Sequence, residues 1–262
     1  MGVLDGLVVL VSGSGPGLGR ATAAAALREG AGVVLADRQG DVLEQTHAEV
    51  DPGGERSVAV RADITSAEDC AAAVAAARDR FGRLDGLVNV AAVDNANGGL
   101  DVALDDWDRT AAVNIRGTIQ MTRAAVPLIR EGGRGGSVVL IGSTMARMPG
   151  RTAPRLAYGM SKGALASAVY HLAGELGPDA IRVNNVSPGF KLGPVLDGYF
   201  RTEAQRRGVS YDEVADVYRA EVLLPELATD EDVANTAVFF LSGWSKAITG
   251  QTVFVDGGDV LP

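Results

Sequence analysis

The sequence predicts an α/β fold with one doubly wound parallel sheet of about seven strands and helices on both faces. Short runs that are apolar throughout alternate with longer segments of helical periodicity. A strand without polar alternation is typical of a parallel sheet that is covered on both faces. No linker, repeat or low-complexity segment divides the 262 residues, so we expect 1–262 to form a single domain.

Seven short apolar runs, each of four to six residues, are predicted as the strands. The last run lies close to the carboxyl end of the chain, far from the sixth. In order they are Leu7–Val11, Val33–Ala36, Ser57–Val60, Leu87–Val90, Ser137–Ile141, Ile181–Val186 and Thr252–Val255.

Helices are predicted between the strands. Asp105 and Asp106 lie at the start of the fourth helix, where the helix dipole favours negative charge. Gly177 and Pro178 end the fifth helix. The predicted helices span about Gly17–Glu29, a segment from about Asp41, Ala67–Phe81, Leu104–Arg130 and Ala157–Leu176.

One segment, residues 190–229, breaks this alternation. Two short amphipathic helices are predicted in it, near 198–207 and 211–223. Ligands bind beyond the carboxyl ends of the strands in an open parallel sheet, and this segment follows the sixth strand. We therefore predict a substrate lid at 190–229, with an insertion for contacts between subunits as the alternative.

The bulk composition excludes several classes of function. A formal net charge of -9 without a basic run argues against nucleic acid and anionic membrane surfaces as partners. The single cysteine excludes an intramolecular disulfide framework, and the apolar run 7–11 is too short for a signal peptide or membrane span. Neither histidine has partners at metal-ligand spacing, so no metal is predicted. We expect a cytoplasmic protein.

The glycine-rich segment from Ser12 to Gly19 predicts a nucleotide site. It follows a strand and opens a helix, so small residues let the backbone approach a pyrophosphate at the helix N-terminus. Asp37 ends the second strand, 18 residues after Gly19, and its carboxylate would bind ribose hydroxyls and repel a 2′-phosphate. This favours NAD as the cofactor. Arg38 could instead contact a phosphate, which leaves NADP as the alternative.

Tyr158 and Lys162 form a candidate acid/base pair. They are four residues apart, so on a helix they share one face. A phenol titrates near pH ~10, and an ammonium one turn away favours the phenolate, so we expect a lowered Tyr158 pKa. A tuned acid/base beside a bound dinucleotide indicates hydride-transfer chemistry.

Together these motifs resemble the short-chain dehydrogenase/reductase family from Leu4 to Gly258. The glycine motif reads Ser12-Gly13-x-x-x-Gly17-x-Gly19, and the acid/base motif reads Tyr158-x-x-x-Lys162. The resemblance implies a Rossmann-type fold and a nicotinamide cofactor. Four positions depart from the family pattern. Ser12 replaces a Thr, Val90 replaces an Asn, Ala92 replaces a Gly, and Gly193 replaces a Thr that contacts the carboxamide.

The resemblance also implies roles for four catalytic residues. Tyr158 would accept the alcohol proton, and Lys162 would stabilise the phenolate and hold the cofactor ribose. Ser143 would donate a hydrogen bond to the reacting oxygen, with Thr144 as the alternative for that role. Asn114 would anchor a water that links Lys162 to solvent.

The cofactor residues implied by the resemblance follow the strand ends. The acidic dipeptide at 63–64 would hold the adenine, and the Pro-Gly turn at 188–189 would touch the nicotinamide. The full set is Gly13, Ser14, Gly17, Leu18, Gly19, Asp37, Arg38, Asp63, Ile64, Asn89, Ala91, Tyr158, Lys162, Pro188 and Gly189.

The predicted function is NAD(H)-dependent interconversion of a secondary alcohol and a ketone on an apolar small molecule. The alternatives are an NADPH-dependent 3-oxoacyl reductase and a non-catalytic dinucleotide sensor. Small residues on the helix at 157–176 and the resemblance imply a homotetramer, with a dimer second. The predicted substrate pocket consists of Val93, Asp94, Met145, Met148, Leu156, Phe190, Leu192, Leu196, Tyr199 and Phe200.

Overall fold

Seven parallel strands form one sheet in the computed structural model, which describes residues 2–94, 98–150 and 153–260. The two ends of the predicted domain, residues 1 and 262, lie outside these described residues. The spatial order is β3-β2-β1-β4-β5-β6-β9, so the chain reverses its direction across the sheet between β1 and β4. This confirms the predicted doubly wound fold. The strands of this sheet are β1 (Val8–Ser12), β2 (Gly32–Asp37), β3 (Ser57–Arg61), β4 (Gly86–Asn89), β5 (Gly136–Ile141), β6 (Ile181–Pro188) and β9 (Thr252–Val255). Two short strands, β7 (Lys191–Leu192) and β8 (Ala228–Thr229), pair separately.

Helices cover both faces of the sheet. Within β1, Val8 and Leu10 pack into one apolar cluster, while Val9 and Val11 pack into the cluster on the other face. All five residues of β1 are buried, which explains why its sequence shows no polar alternation. The helices are α1 (Leu18–Arg28), α2 (Gly40–Val50), α3 (Ala67–Phe81), α4 (Leu104–Ala111), α5 (Thr118–Glu131), α6 (Leu156–Leu176), α7 (Pro194–Arg207), α8 (Tyr211–Arg219) and α9 (Asp230–Leu241).

Helix α9 was not among the predicted elements. Thr229 begins it with a capping box, in which its side chain accepts from the backbone of Asp232 and the Asp232 carboxylate accepts in return. Phe240 and Leu241 pack in the same cluster as α1. The spacing of Thr229 and Asp232 was a usable signal for this helix.

The helix predicted at 104–130 is interrupted. A π-helical turn at Ala112–Gly117 separates α4 from α5. Asn114 lies in this turn and is fully buried. Turns of this kind are frequent at functional sites because the extra residue redirects a side chain.

The segment predicted as a lid folds into β7, α7, α8 and β8. The helices lie close to the predicted positions, but α8 ends at Arg219 rather than at 223. Phe200, Val214, Tyr218 and Leu227 form an apolar cluster of their own beneath these helices. None of the helices in the described part of the chain combines the length and apolar character needed to cross a bilayer.

Candidate active site

The glycine-rich loop between β1 and α1 forms the floor of a cleft. Gly13 and Gly17 have φ values of +80° and +87°, which L side chains rarely adopt. A Cβ atom at Gly13 would lie 2.5 Å from the backbone of Ala91, so the loop packs directly against the end of β4. Gly17 begins α1 without a side-chain cap. No side chain caps the amides of this helix N-terminus, which fits the diphosphate of a dinucleotide.

Asp37 is held beside this loop by two backbone amides. Gly15 N donates to its Oδ2 over 3.1 Å, and Gln39 N donates to its Oδ1 over 2.9 Å. Asp37 and Arg38 both line the cleft, which has a volume of about 400 Å³. A fixed carboxylate at the end of β2 is well placed to accept hydrogen bonds from ribose hydroxyls.

Asp63 is oriented in a similar way after β3. The backbone and hydroxyl of Thr65 both donate to its Oδ1, over 2.8 and 2.7 Å. Its Oδ2 is therefore the oxygen left for an adenine amino group. Eight predicted cofactor residues line the same cleft: Gly13, Leu18, Gly19, Asp37, Arg38, Asp63, Ile64 and Ala91.

Three predicted cofactor residues lie behind the cleft wall. The Ser14 hydroxyl donates to Val11 O over 2.7 Å, because its short side chain turns back into the loop. Asn89 is buried and donates to Thr122 Oγ1 over 3.2 Å, so its amide ties β4 to α5. Pro188 ends β6 without lining the cavity that Gly189 lines. These three residues shape the cleft rather than face it.

Eight further residues of the cleft wall were not among the predicted cofactor residues. They are immediate neighbours of predicted residues along the chain, so extending each motif by one or two positions would have found most of them. They are Gly15, Pro16, Gln39, Ala62, Val90, Ala92, Val93 and Val113.

A second cavity, of about 300 Å³, adjoins the cleft and contains the predicted chemistry. Pro16 and Leu18 line both cavities, so the second continues the first. Ser143 and Tyr158 line it and are hydrogen-bonded to each other. Thr144 is buried in the short helical turn that follows and does not line the cavity. The geometry therefore favours Ser143 over Thr144.

Lys162 lies under Tyr158 on the same face of α6. Its Nζ is 5.5 Å from the centre of the Tyr158 ring and donates to Ile141 O over 2.8 Å. The side chain is buried, with 3% of the residue exposed. The predicted juxtaposition of phenol and ammonium is present.

Asn114 locks the segment after β4 against α6. Its Nδ2 donates to Val93 O over 2.9 Å and to Ser161 Oγ over 3.0 Å, and its Oδ1 accepts from Val93 N over 2.8 Å. Both side-chain donors are thus used within the protein. The predicted water relay through Asn114 stays a prediction.

The protein's own groups shift the Tyr158 pKa upward, opposite to the sequence-based expectation. Desolvation is the main cause, and the nearby Asp94 carboxylate adds to it. The hydrogen bond from Ser143 and the charge of Arg155 act in the other direction but are outweighed. Desolvation also lowers the pKa of Lys162 to about 8. Burial thus disfavours the charged form of both groups.

Five of the ten residues predicted for the substrate pocket line the second cavity. They are Asp94, Met145, Phe190, Leu196 and Tyr199. Val93, Met148, Leu156, Leu192 and Phe200 do not line it; Met148 and Leu156 line a neighbouring groove, and Phe200 is in the lid cluster.

Two ion pairs lie in the cavity wall, Asp94 with Arg155 and Lys191 with Asp230. The cavity wall therefore combines the expected apolar side chains with two ion pairs that were not predicted. Acidic and basic residues far apart in sequence are brought together only by the fold.

Position 193, where the family usually has Thr, has no room for a side chain. A Cβ atom there would lie 3.0 Å from Cγ of Asp230 and closer to Oδ2. The Asp230 carboxylate thus fills the space that a side chain at 193 would enter. Asp230 Oδ2 also lies 3.4 Å from the Cβ position of Gly17, so the pair with Lys191 borders the N-terminus of α1.

Known proteins resemble the whole chain. The family model described as "Enoyl-(Acyl carrier protein) reductase" matches residues 13–259. The "Short-chain reductase protein NovJ" of Streptomyces niveus is 34% identical over 251 residues, covering 96% of this chain and 93% of that protein. The "L-rhamnose 1-dehydrogenase (NAD(P)(+))" of Sphingomonas sp. (strain SKA58) is 32% identical over 259 residues, covering 98% of each. A solved short-chain type dehydrogenase/reductase from Mycobacterium ulcerans matches with a TM-score of 0.87 and 32% identity, over 98% of this chain and 90% of that one.

Proposed function

The chain belongs to the short-chain dehydrogenase/reductase family, and on that basis we propose that it interconverts a secondary alcohol and a ketone with NAD(H). Members of the family are oxidoreductases that bind a nicotinamide dinucleotide. The observation that carries the proposal is the continuous cavity. Its cofactor side contains the glycine loop and Asp37, and its far side contains Ser143 and Tyr158.

Tyr158 is proposed as the proton acceptor in the oxidation direction. Its phenolate takes the hydroxyl proton of the alcohol, and the carbon–oxygen double bond forms as the carbinol hydrogen leaves with its electron pair. The cofactor, when bound, supplies the hydride acceptor and a positive charge that opposes the upward shift of the Tyr158 pKa. In the reverse direction Tyr158 returns the proton.

Ser143 and Lys162 are proposed to support this proton transfer. Ser143 is in contact with the Tyr158 hydroxyl, so its own hydroxyl can donate to the reacting oxygen as charge develops there. Lys162 is fixed by Ile141 O below the phenol ring, where its positive charge favours the phenolate. Asn114 acts by holding Ser161 and the segment at Val93 in place.

NAD is proposed over NADP because of Asp37. Its carboxylate is fixed at the ribose end of the cleft and would repel a 2′-phosphate. Arg38 lines the same cleft, which keeps NADPH as the alternative to be measured. Equilibrium titration of protein fluorescence with NADH and NADPH tests this proposal directly.

The substrate is proposed to be a small molecule with an apolar part that contacts Met145, Phe190 and Leu196. These side chains line the cavity beside the two ion pairs. The lid segment contributes Phe190 and Leu196, which supports its proposed role in covering the substrate. Turnover of secondary alcohols with NAD, followed by NADH absorbance, tests the reaction; no turnover across a broad panel would contradict it.

A homotetramer is proposed for the assembly. Helix α6 exposes Met160 and Tyr170, at 54% and 63% of their surface, on its outer side. Large apolar side chains on the outside of a helix support pairing with a second copy. Light scattering on the purified protein distinguishes a tetramer from a dimer or a monomer.

A further inference from the structure

Arg155 occupies a distinctive place in the substrate cavity. It is the N-cap residue of α6, three residues before Tyr158, and lines the same cavity as Tyr158 and Ser143. Its Nη1 donates to the carboxylate of Asp94. Its Nε is buried, and none of the described residues accepts a hydrogen bond from it. Because this atom is closed off by the protein, a ligand in the cavity can meet only the Nη end of the guanidinium.

The guanidinium still has hydrogen-bonding capacity. It carries five N–H donors in a planar fork, and Asp94 is paired through Nη1. The Nη end can donate a charge-assisted hydrogen bond to a carboxylate oxygen. Asp94 therefore fixes the orientation of the fork while its Nη end lies beside the cavity.

The surrounding charges favour an anion at this position. The carboxylates of Asp94 and Asp230 balance the cations of Arg155 and Lys191, and Lys162 adds a further cation below Tyr158. The N-terminus of α6 has no side-chain cap and no acidic residue in its first turn. Its dipole adds positive potential beside Arg155.

We propose that Arg155 binds a carboxylate of the substrate, so that the preferred substrates are small hydroxy acids and the corresponding oxo acids. This rests on the proposed function, and it replaces a purely apolar substrate with one that has an anionic end. The apolar side chains Met145, Phe190 and Leu196 would contact the carbon chain between the carboxylate and the reacting carbon. Asp94 is a positioning residue for the guanidinium.

Matched substrate pairs test the proposal. Lactate and 3-hydroxybutanoate are compared with their methyl esters, which keep the secondary alcohol and remove the charge. For at least one pair we expect kcat/KM to be tenfold or more higher for the acid. We expect Arg155→Gln to lower the ratio of kcat/KM for the acid to kcat/KM for the ester by about 30-fold, because a change in the Tyr158 pKa affects both substrates equally while loss of the carboxylate contact affects only the acid. Arg155→Lys should be intermediate, because lysine keeps the charge without the fork.

Two controls separate the possible failures. Lys191→Gln removes the other cation of the cavity wall; if that variant alone removed the preference for the acid, Arg155 would not be the recognition residue. Calorimetric binding of the oxo acids to the NADH-loaded protein is measured in parallel. Equal use of acid and ester by the wild type would overturn the carboxylate proposal and leave the proposed oxidoreductase intact. Absence of turnover with every alcohol, with carboxylate binding that depends on Arg155, would contradict only the proposed function.

Discussion

Asp230 occupies the space beside Gly193 that any side chain at position 193 would need. The backbone of Gly193 is extended, with a φ of -176°, so the residue's conformation does not itself require glycine. The requirement is steric, because a Cβ atom would lie 3.0 Å from Cγ of Asp230. The same carboxylate is paired with Lys191 and borders the glycine loop, so this contact joins the segment 190–229 to the cleft.

We therefore predict that Gly193→Thr displaces the Asp230 carboxylate and weakens NADH binding by about tenfold, or ~1.4 kcal/mol. Gly198→Ala is the matched control. Gly198 lies in α7, the helix that follows Gly193, and a Cβ atom there would meet no other atom within 4 Å. Fluorescence titration with NADH measures the affinity, and thermal melting measures the stability of both variants. An unchanged affinity in Gly193→Thr would show that this contact does not influence the cleft.

Tyr158→Phe is expected to lower kcat by at least about 10³-fold, because it removes the only atom that accepts the substrate proton in the proposed step. The affinity for NADH should stay within about threefold of the wild type, since the ring remains in place. Steady-state kinetics and fluorescence titration measure the two quantities. Turnover near the wild-type rate would remove Tyr158 from the proposed chemistry.

Asp94→Asn is expected to move the pH profile of alcohol oxidation to lower pH. The negative charge of Asp94 raises the Tyr158 pKa, and Arg155 acts in the opposite direction. Removing the charge therefore lowers the Tyr158 pKa, and the phenolate needed for oxidation forms at lower pH. The measurement is kcat/KM as a function of pH.

Asp105→Asn, which changes an exposed carboxylate in the first turn of α4, is the control for a general change in net charge. We expect its profile to match the wild type. A shift of the Asp94→Asn profile to higher pH, or equal shifts in both variants, would contradict the electrostatic coupling of Asp94 with Tyr158.

Asp37→Ser is expected to reduce the preference for NADH over NADPH by at least tenfold. The change removes the charge that repels a 2′-phosphate and leaves Arg38 beside the cleft to attract it. Dissociation constants for both reduced cofactors give the ratio. If the wild type already binds NADPH as tightly as NADH, Asp37 does not set the cofactor preference.

The sheet and most helices could be predicted because local patterns determine them. An apolar run such as 7–11 indicates a buried strand wherever it occurs, and Tyr158 and Lys162 share a helix face by spacing alone. The ion pairs at Arg155 and Lys191 could not be predicted, since their partners are 61 and 39 residues away and meet only in the folded chain.

The direction of the Tyr158 pKa shift could not be predicted from the sequence, for a related reason. Sequence spacing shows that a cation is near the phenol, but it does not show how far both groups are removed from water. Desolvation is the largest cause of both shifts, raising the Tyr158 pKa and lowering the Lys162 pKa. The π turn at Asn114 likewise depends on packing around the turn, because a Cβ atom at Gly117 would lie 2.8 Å from the Ile64 side chain.

The separate apolar cluster around Phe200 and Tyr218 has a kinetic consequence. A segment with its own core can rotate as a rigid body without unpacking either face of the sheet. The strand pair β7–β8 and the ion pair of Lys191 with Asp230 would then serve as its hinge. We expect departure of the product, rather than the chemical step, to limit the overall rate, so that solvent viscosity slows turnover while deuteration of the carbinol carbon has little effect.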